Sequence, residues 1–269
     1  EWYKKMEASF WTAEEIDFSQ DYNDFIKLSD NSKHFIKMVL PSSIGCATDA
    51  WGSMAVQENG GLVASGQHGG SLNSYQPYHL FSESRFSFFF TYGTESPTYS
   101  FLKKYGKADI ITSGSTVLHA ISKIKSESPK KITRIFYIMN LCVPFYSANF
   151  PWEMILKQFE TLELLSSFGK QYTIHVKEEH SKTVNRDKYT NLVFTNKNPR
   201  EIMNEYDLLV VESGLSTAVL EVVVTKKFIA LFTGPEWEDT SRESLDMLAK
   251  RAECFTTYDE FLFGLKNIL

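Results

Sequence analysis

The chain has 269 residues, of which 43% are hydrophobic and 23% are charged, so it has room for two modest domains with buried cores. A formal net charge of -5, with no block of Lys or Arg to offset it, argues against a broad nucleic-acid-binding surface. The cysteines, Cys46, Cys142 and Cys254, match no metal-binding spacing and are typical of free thiols in a reducing compartment. No apolar run reaches the roughly 18 residues of a membrane span, and no secretory leader pattern opens the chain. We therefore expect a cytoplasmic protein, with peripheral contact to a membrane left open.

The opening of the chain is acidic and predicts helices. Thr12 and Glu15 have the spacing of a capping box, which predicts a helix that begins near Ala13. Ser29 or Asp30 can cap a second helix. The apolar side of that helix would carry Phe35, Ile36, Val39 and Leu40. By spacing alone, these are two amphipathic helices that cover a core.

Three stretches of this opening, residues 1–17, 24–28 and 34–36, closely resemble the small, radical-bearing subunit of class I ribonucleotide reductase. In that family the position matching Asp17 is a ligand of the di-iron centre. Such a centre needs several carboxylates and two histidines from four helices, typically as Glu-x-x-His pairs. None of the six histidines of this chain has Glu three positions earlier. We therefore expect Asp17 to be a solvated carboxylate, because one ligand cannot hold a metal pair; a di-iron cofactor follows only if the reductase interpretation holds.

Three predicted strands in the middle of the chain end in small residues. The first, 62–65, leads into Gly66-Gln67-His68-Gly69-Gly70, and the next two, 86–92 and 108–112, end at Gly93 and Gly114. Glycines permit close approach of a ligand, and a histidine can exchange a proton near neutral pH. This arrangement is typical of the rim of a ligand cleft, although His68 by itself is more often a hydrogen-bonded structural residue.

Strands and helices alternate from Lys131 onward. The predicted strands are 132–139, 172–176, 192–194, 207–211 and 228–232. The predicted helices are 152–168, 199–204, 216–225, 241–251 and one from Tyr258. Strands separated by helices of this length imply a parallel sheet with helices on both faces. The predicted fold class is therefore α/β, with a doubly wound, Rossmann-like parallel sheet.

The turn after strand 207–211 is the best candidate for a ligand site, since ligands of such sheets bind beyond the carboxyl ends of the strands. Ser213, Gly214 and Ser216 form a small polar loop, and Thr217 follows in the predicted helix. Unpaired backbone donors and these hydroxyls predict a diphosphate cradle. The alternative is that Ser216 or Thr217 only caps the helix. The loop lacks the lysine of a nucleoside-triphosphate P-loop, which disfavours a kinase or ATPase.

A series of short motifs shares one order and spacing with a known group of enzymes. The motifs are Gln67-His68-Gly69-Gly70, Tyr92-Gly93, Ser113-Gly114-Ser115, Tyr206–Val211, and Ser216-Thr217 followed by Glu221. They resemble the GT-B-type transferases of bacterial surface-carbohydrate synthesis over roughly residues 44–269. The resemblance implies two facing Rossmann-like domains, with a nucleotide-activated donor bound mainly by the C-terminal one.

The same resemblance implies roles for individual residues. The implied donor-binding residues are Ser213, Gly214, Ser216, Thr217 and Glu221, the last of these on a ribose or sugar hydroxyl. His68 would face the reaction centre as a general base or as a hydrogen-bond donor. Transfer needs a base for the acceptor hydroxyl and positive potential for the departing diphosphate, which helix dipoles can supply without metal. We expect no cofactor beyond the donor, and Glu221 is equally compatible with a solvated helix carboxylate.

The chain also departs from the transferase pattern. Relatives often carry a basic residue and His-Pro after the second strand of the C-terminal domain, where this chain has His175, Lys177 and His180 with two glutamates among them. We take His175 and Lys177 as the candidates for phosphate contacts. Residues 41–128 supply only part of an N-terminal Rossmann-like domain, so the reductase-like helices or a partner chain would have to cover its exposed sheet edge.

Three domains follow from these patterns: a helical segment at 1–40, a truncated Rossmann-like domain at 41–128 and a nucleotide-binding Rossmann-like domain at 129–269. The favoured function is a transferase-like protein of surface polysaccharide biosynthesis. Its partner would be a nucleotide diphosphate sugar or a similar small donor, and not a nucleic acid. One alternative is a fragment or fusion of the ribonucleoside-diphosphate reductase small subunit, an enzyme of deoxyribonucleotide synthesis, without a complete di-iron site. The other is a catalytically silent nucleotide-binding module.

Overall fold

The computed structural model describes residues 38–39, 53, 56–57, 60–66, 87–93, 103, 107–124, 127–139, 152–177, 184–212, 217–233 and 242–269. The chain divides into two compact units. The first comprises Glu1–Gly66, Pro77–Thr91 and Leu102–Ile111, and the second comprises Gln67–Gln76, Tyr92–Phe101 and Thr112–Leu269. The domain boundaries expected near residues 40 and 128 were drawn from sequence patterns and resemblance, and they stay predictions.

A four-stranded sheet lies mainly in the first unit. Its strands, in spatial order, are β1 (Met38–Val39), β2 (Leu62–Gly66), β3 (Phe88–Thr91) and β4 (Asp109–Thr112). β2 pairs in parallel with both β1 and β3. Val63, Ala64 and Phe89 are fully buried, as expected where apolar side chains of a strand face a core. β2, β3 and β4 confirm the three strands predicted from the glycine-terminated runs.

β1 corrects the helix predicted between Ser29 and Leu40. Met38 and Val39 form an edge strand in register with Leu62 and Val63. Pairing with β2 satisfies backbone groups of this segment, and β-branched Val39 suits a strand better than a helix. Tertiary pairing has therefore overridden the helical spacing of the apolar residues at this point. The helix predicted near Ala13 lies outside the described residues.

The second unit is built on a six-stranded, all-parallel sheet. The strands are β5 (Arg134–Ile138), β6 (Thr173–Lys177), β7 (Val193–Thr195), β8 (Leu208–Val211), β9 (Phe228–Phe232) and β10 (Glu253–Phe255). The helices are α1 (Thr116–Ser122), α2 (Trp152–Phe168), α3 (Pro199–Ile202), α4 (Thr217–Val223), α5 (Arg242–Ala249) and α6 (Tyr258–Ile268). The spatial order β10-β9-β8-β5-β6-β7 runs outward from the centre in both directions. This order confirms the doubly wound α/β fold class.

Side chains of the central strands alternate between two cores. Ile135 and Tyr137 of β5 face a core that includes Leu162 and Leu165 of α2 and Phe261 of α6. The opposite core contains alternate residues of the same strands together with residues of α3 and α4; its members from these elements are Phe136, Ile138, Leu209, Val211, Ile202, Ala218, Val219 and Val222. Because both faces are covered, β5 and β8 are nearly continuous apolar runs.

Asp207 aligns the starts of the two central strands. Its Oδ2 atom accepts hydrogen bonds from the backbone N–H groups of Thr133 (2.8 Å) and Arg134 (2.9 Å) and from the Thr133 hydroxyl (2.7 Å). Burial alone would raise the pKa of Asp207, but these hydrogen bonds lower it below its ordinary value. The ionised carboxylate therefore fixes the register of β8 against β5 before the chain enters the sheet.

Two short elements of the second unit were missed by the sequence analysis. α1 begins after Ser115, whose hydroxyl accepts a hydrogen bond from the Leu118 N–H at 3.3 Å. β10 is a three-residue edge strand that pairs with β9. Among the described helices, none combines the length and the hydrophobicity needed to cross a membrane.

Candidate functional site

The carboxyl ends of β5 and β8 form the topological switch point of the six-stranded sheet. The two strands are neighbours, and Ile138 at the end of β5 is level with Val211 of β8 and Lys177 of β6. α2, which follows β5, packs on one face, whereas α4, which follows β8, packs on the other. Connections that leave neighbouring strands toward opposite faces open a crevice above the sheet, and ligands of doubly wound proteins bind in such crevices.

Only part of the predicted donor loop is described by the structure. Thr217 is the first residue of α4, the helix that follows β8 in the chain. Ser213, Gly214 and Ser216 lie outside the described residues, as does His68 of the first glycine-rich stretch. The roles assigned to these residues stay predictions.

Glu221 lies one turn into α4 and is engaged by a basic residue. Nε of Arg200 donates a hydrogen bond to Glu221 Oε1 at 2.6 Å. The Glu221 side chain is only 7% exposed, and that of Arg200 is 44% exposed. The pair joins α3 to α4 and neutralises a carboxylate that would otherwise be costly to bury. Glu221 can contact a donor hydroxyl only as one half of this ion pair.

Lys177 is a second basic group at the carboxyl edge. It is the last residue of β6, it is largely buried, and its Nζ donates to the backbone carbonyl of Asn196 at 3.3 Å. By strand alternation it projects to the face covered by α3 and α4, the same face as the Arg200–Glu221 pair. Its position at the edge is compatible with the predicted phosphate contact.

His175 lies farther from the edge than Lys177. It is level with Phe136 and, across β5, with Leu209, which puts it two residues, roughly 7 Å, before the end of its strand. Its Nδ1 atom is hydrogen-bonded to the Tyr206 hydroxyl at 2.6 Å. Burial, followed by the charge of Arg134, lowers the pKa of His175, so the ring is neutral at pH 7. A phosphate contact by His175 stays a prediction, and the hydrogen bond to Tyr206 gives the ring a structural partner.

A buried carboxyl group stands at the opposite side of the same edge. Glu212 follows β8 directly and is 1% exposed. The Thr161 hydroxyl of α2 donates to Glu212 Oε1 at 2.7 Å and is also hydrogen-bonded to the Tyr258 hydroxyl of α6. Among the described residues, neither Glu212 Oε2 nor the Tyr137 hydroxyl has a partner of hydrogen-bond geometry. We call Glu212, Thr161, Tyr137, Tyr258 and Gln158 the buried polar cluster.

Burial controls the ionisation of this cluster. It raises the pKa of Glu212 to about 7, with Tyr137, Thr161 and Gln158 each partly offsetting the effect. Burial also raises the pKa of Tyr137, and the adjacent Glu212 charge raises it further. The pKa of Tyr258 is raised in the same way, first by burial and then by Glu212. Both phenols therefore stay protonated, and Glu212 is the member of the cluster that titrates near neutral pH.

Sequence reasoning overlooked this cluster, although one signal was present. Leu208 and Val210 face the core shared with α2 and α6, and alternation along β8 puts Glu212 on that same face. A charged residue at a core-facing position, directly after four buried apolar residues, indicates a buried carboxyl group. Its partners on α2 and α6 could not be identified without the packing of those helices.

The described residues offer no metal centre. Nowhere in this part of the chain do three or more His, Cys, Asp or Glu side chains come together in a way that could hold a metal ion. Asp17, the candidate ligand of the reductase interpretation, lies outside the described residues. Cys254 is a free thiol, and burial raises its pKa to about 11, so it is protonated at neutral pH.

Comparison with known sequences finds a match confined to the start of the chain. Residues 1–44 match the family "Ribonucleotide reductase, small chain". The small chain of Plasmodium falciparum (isolate Dd2) is 70% identical over 40 residues, and that of Yaba-like disease virus is 63% identical over 38 residues. These segments make up 15% and 14% of this chain, and in each case only 12% of the reductase protein. The reductase resemblance of the opening is confirmed, and it accounts for a small part of either protein.

Comparison with solved structures covers nearly the whole chain. The S. aureus MnaA-UDP co-structure aligns over 93% of this chain and 69% of that one, with a TM-score of 0.61 and 14% identity. Acinetobacter baumannii MurG aligns over 95% of this chain and 72% of its own, with a TM-score of 0.57 and 12% identity. The lipopolysaccharide outer core galactosyltransferase WaaB aligns over 96% of this chain and 73% of its own, with a TM-score of 0.52 and 11% identity. The chain has the GT-B fold. At these identities the likeness establishes the fold, which the sequence motifs had predicted.

Proposed function

We propose that this chain is a transferase-like protein that binds a nucleotide-activated donor at the carboxyl edge of β5 and β8. The observation that carries the proposal is the switch point itself, where α2 and α4 leave neighbouring strands toward opposite faces. The GT-B fold supports it, as does the UDP named for MnaA, a protein of the same fold. A role in surface polysaccharide biosynthesis extends this proposal from the sequence motifs.

The donor diphosphate would lie over the turn between β8 and α4. Ser213, Gly214, Ser216 and Thr217 would bind its oxygens through hydroxyl and backbone donors. Lys177 would add positive potential from β6, because this strand ends at the same level as β5 and β8.

Transfer would then need groups on both sides of the donor. Glu221, held by Arg200, would accept a hydrogen bond from a ribose or sugar hydroxyl. His68 would take the proton of the acceptor hydroxyl as that oxygen attacks the donor, while the diphosphate departs with the bonding electrons. We place this activity in the cytoplasm, because the free Cys254 thiol suits a reducing compartment.

The reductase alternative is not favoured. The matching segment spans only 12% of the length of its curated relatives, whereas the GT-B likeness extends over most of the chain.

A thermal-shift titration of the purified chain with UDP, CDP, GDP and CMP tests the proposal. A ligand that binds only the folded state, present at a hundred times its dissociation constant, stabilises that state by about 2.7 kcal/mol. We expect one nucleotide to raise the melting temperature selectively, and the Ser216→Ala/Thr217→Ala double variant to lose that shift. Ser167→Ala, which removes an exposed hydroxyl that donates to the Leu164 carbonyl of its own helix, is the matched control and should keep the shift.

Two other outcomes separate the alternatives. If none of the four nucleotides shifts the melting temperature, the donor-site assignment is wrong. If a nucleotide binds but its sugar conjugates are never turned over with any acceptor, the silent nucleotide-binding module replaces the transferase.

A further inference from the structure

The buried polar cluster brings four elements of the fold to one carboxyl group. Glu212 directly follows β8, Tyr137 belongs to β5, Thr161 to α2 and Tyr258 to α6. The cluster therefore lies at the switch point, on the face opposite to the Arg200–Glu221 pair. Glu212 is also the residue that directly precedes the loop proposed to hold the donor diphosphate.

The hydrogen bonds of the cluster have one consistent direction. The Thr161 hydroxyl has one proton, and the shorter of its donor contacts is to Glu212 Oε1, at 2.7 Å against 3.2 Å to the Lys157 carbonyl. When Thr161 donates to Glu212, the Tyr258 hydroxyl, which burial keeps protonated, is the donor to Thr161 Oγ1. A proton on the Glu212 carboxyl group is consequently held at Oε2, the oxygen on which no described residue makes a hydrogen bond.

Among the described residues, no cation contacts the carboxyl group of Glu212 to balance its charge when it is ionised. The groups that face it are the phenols of Tyr137 and Tyr258 and the neutral side chains of Thr161 and Gln158. Two charged residues of α2 lie near Tyr258. Lys157 Nζ is 5.4 Å from the centre of the Tyr258 ring, and the negative charge of Glu160 raises the pKa of Tyr258. A negative charge at this depth is costly without a counter-ion, and it would repel a diphosphate bound to the adjoining loop.

We propose that Glu212 is a proton-carrying positioning residue of the donor site: its neutral carboxyl group anchors the end of β8 to Thr161, and release of its proton to solvent weakens the binding of a nucleoside diphosphate. This inference rests on the proposed function, since it concerns the affinity of that same site. Glu212 acts on the donor site through the charge that it carries directly after β8, and it does not itself contact the reacting atoms.

Nucleotide affinity measured against pH tests the proposal. Dissociation constants for UDP, CDP and GDP are determined by calorimetric titration between pH 6 and pH 9 for the native chain and for Glu212→Gln. The glutamine mimics the protonated acid, because its oxygen can accept from Thr161 and its amide carries protons where Oε2 does. We expect the affinity of the native chain to fall about tenfold across neutral pH relative to the variant, as a one-unit coupling between ligand and proton would require. Any pH dependence of affinity that remains in Glu212→Gln comes from titration of the nucleotide's own phosphate, so the variant is the reference for the native chain.

Tyr137→Phe supplies an independent arm that leaves the carboxyl group in place. The Tyr137 phenol lowers the pKa of Glu212, so its removal should move the midpoint of the pH dependence to higher pH. Parallel profiles for native chain and Glu212→Gln would overturn the inference while leaving donor binding intact. If Glu212→Gln fails to fold by circular dichroism, an unmoved midpoint in Tyr137→Phe overturns it instead. Failure of the native chain to bind any of the three diphosphates at any pH overturns the proposed function and this inference together.

Discussion

Two glutamates at the carboxyl edge of the sheet are buried in different ways. Glu221 is matched with Arg200 across a 2.6 Å hydrogen bond and needs no proton to remain inside. The described side chains that act on Glu212 are neutral, so its burial favours the protonated acid. The same side chain thus has two electrostatic behaviours within one site, and the difference comes from the partner that the neighbouring elements supply.

Removal of Arg200, the partner of Glu221, should destabilise the folded chain more than removal of the charge of Glu221. Arg200→Met leaves a buried carboxylate without a cation and is expected to lower the free energy of unfolding by about 1 to 3 kcal/mol, since Arg200 is itself partly exposed. Glu221→Gln keeps an acceptor for Arg200 and should cost less. Urea denaturation of both variants measures the difference, and a larger loss in Glu221→Gln would contradict the interpretation of this pair.

Glu212 should make the stability of the folded chain depend on pH. Its pKa is about 7 in the folded chain against an ordinary value of 4.5, so the folded state binds the extra proton between these values. The stabilising contribution is complete below about pH 4.5 and is lost as the pH rises to about 7. Relative to Glu212→Gln, the native chain should lose roughly 3 kcal/mol over this window. Denaturant unfolding at several pH values measures this, and a constant difference between the two proteins would show that Glu212 is not protonated by burial.

At the scale of elements, the turn after α2 depends on close backbone packing. Gly169 follows the last residue of the helix, and a Cβ atom placed there would lie 2.5 Å from Asn191 Cβ and 2.7 Å from the Asn191 carbonyl oxygen. A backbone carbonyl cannot rotate away as a side chain can. This contact sets how closely α2 approaches the segment that leads into β7.

Gly169→Ala should therefore destabilise the second unit. We expect a loss of about 1 to 3 kcal/mol, as for other overpacked positions, visible as a lower melting temperature. Gly93→Ala is the matched control, because no described residue lies within 4 Å of its Cβ position, and it should change the melting temperature little. Equal effects of the two substitutions would mean that the approach of residue 191 is not what requires glycine.

At the scale of the whole molecule, the chain joins a reductase-like opening to a GT-B body. The reductase-like residues 1–44 include β1, which pairs with β2 in the first sheet. The end of that segment is thus an edge strand of an α/β unit. A di-iron centre draws ligands from four helices, and the whole sequence lacks the Glu-x-x-His pairs that such helices carry.

The intact chain should accordingly bind no stoichiometric iron. After anaerobic incubation with Fe(II), exposure to oxygen and desalting, we expect well below one iron atom per chain by elemental analysis. Electron paramagnetic resonance should show no tyrosyl radical. Two irons per chain together with a radical signal would reverse this conclusion and restore the reductase interpretation.

The position of the candidate site could be predicted from the sequence, whereas the hydrogen bonds between its side chains could not. Apolar runs and capping patterns located β8 and α4, and hence the turn between them, because these signals are local. The importance of Glu212 and Arg200 was not predicted. Glu212 is bonded to a residue 51 positions away and Arg200 to one 21 positions away, and neither separation has a sequence signature.

The sequence by itself determined most of the strands and helices of the second unit, apart from α1 and β10, and it determined that they alternate. Residues 152–168 and 228–232 were predicted with the bounds that the structure shows, because the periodicity and length of an apolar run depend only on nearby residues. Tertiary structure alone decided the strand order, the strand at Met38–Val39, and the partners of the buried carboxyl groups. Alternation along a strand tells which face of the sheet a side chain occupies. The neighbours of that side chain depend on how distant elements wind around the sheet. In the interior, those neighbours decide whether an ionisable side chain is charged.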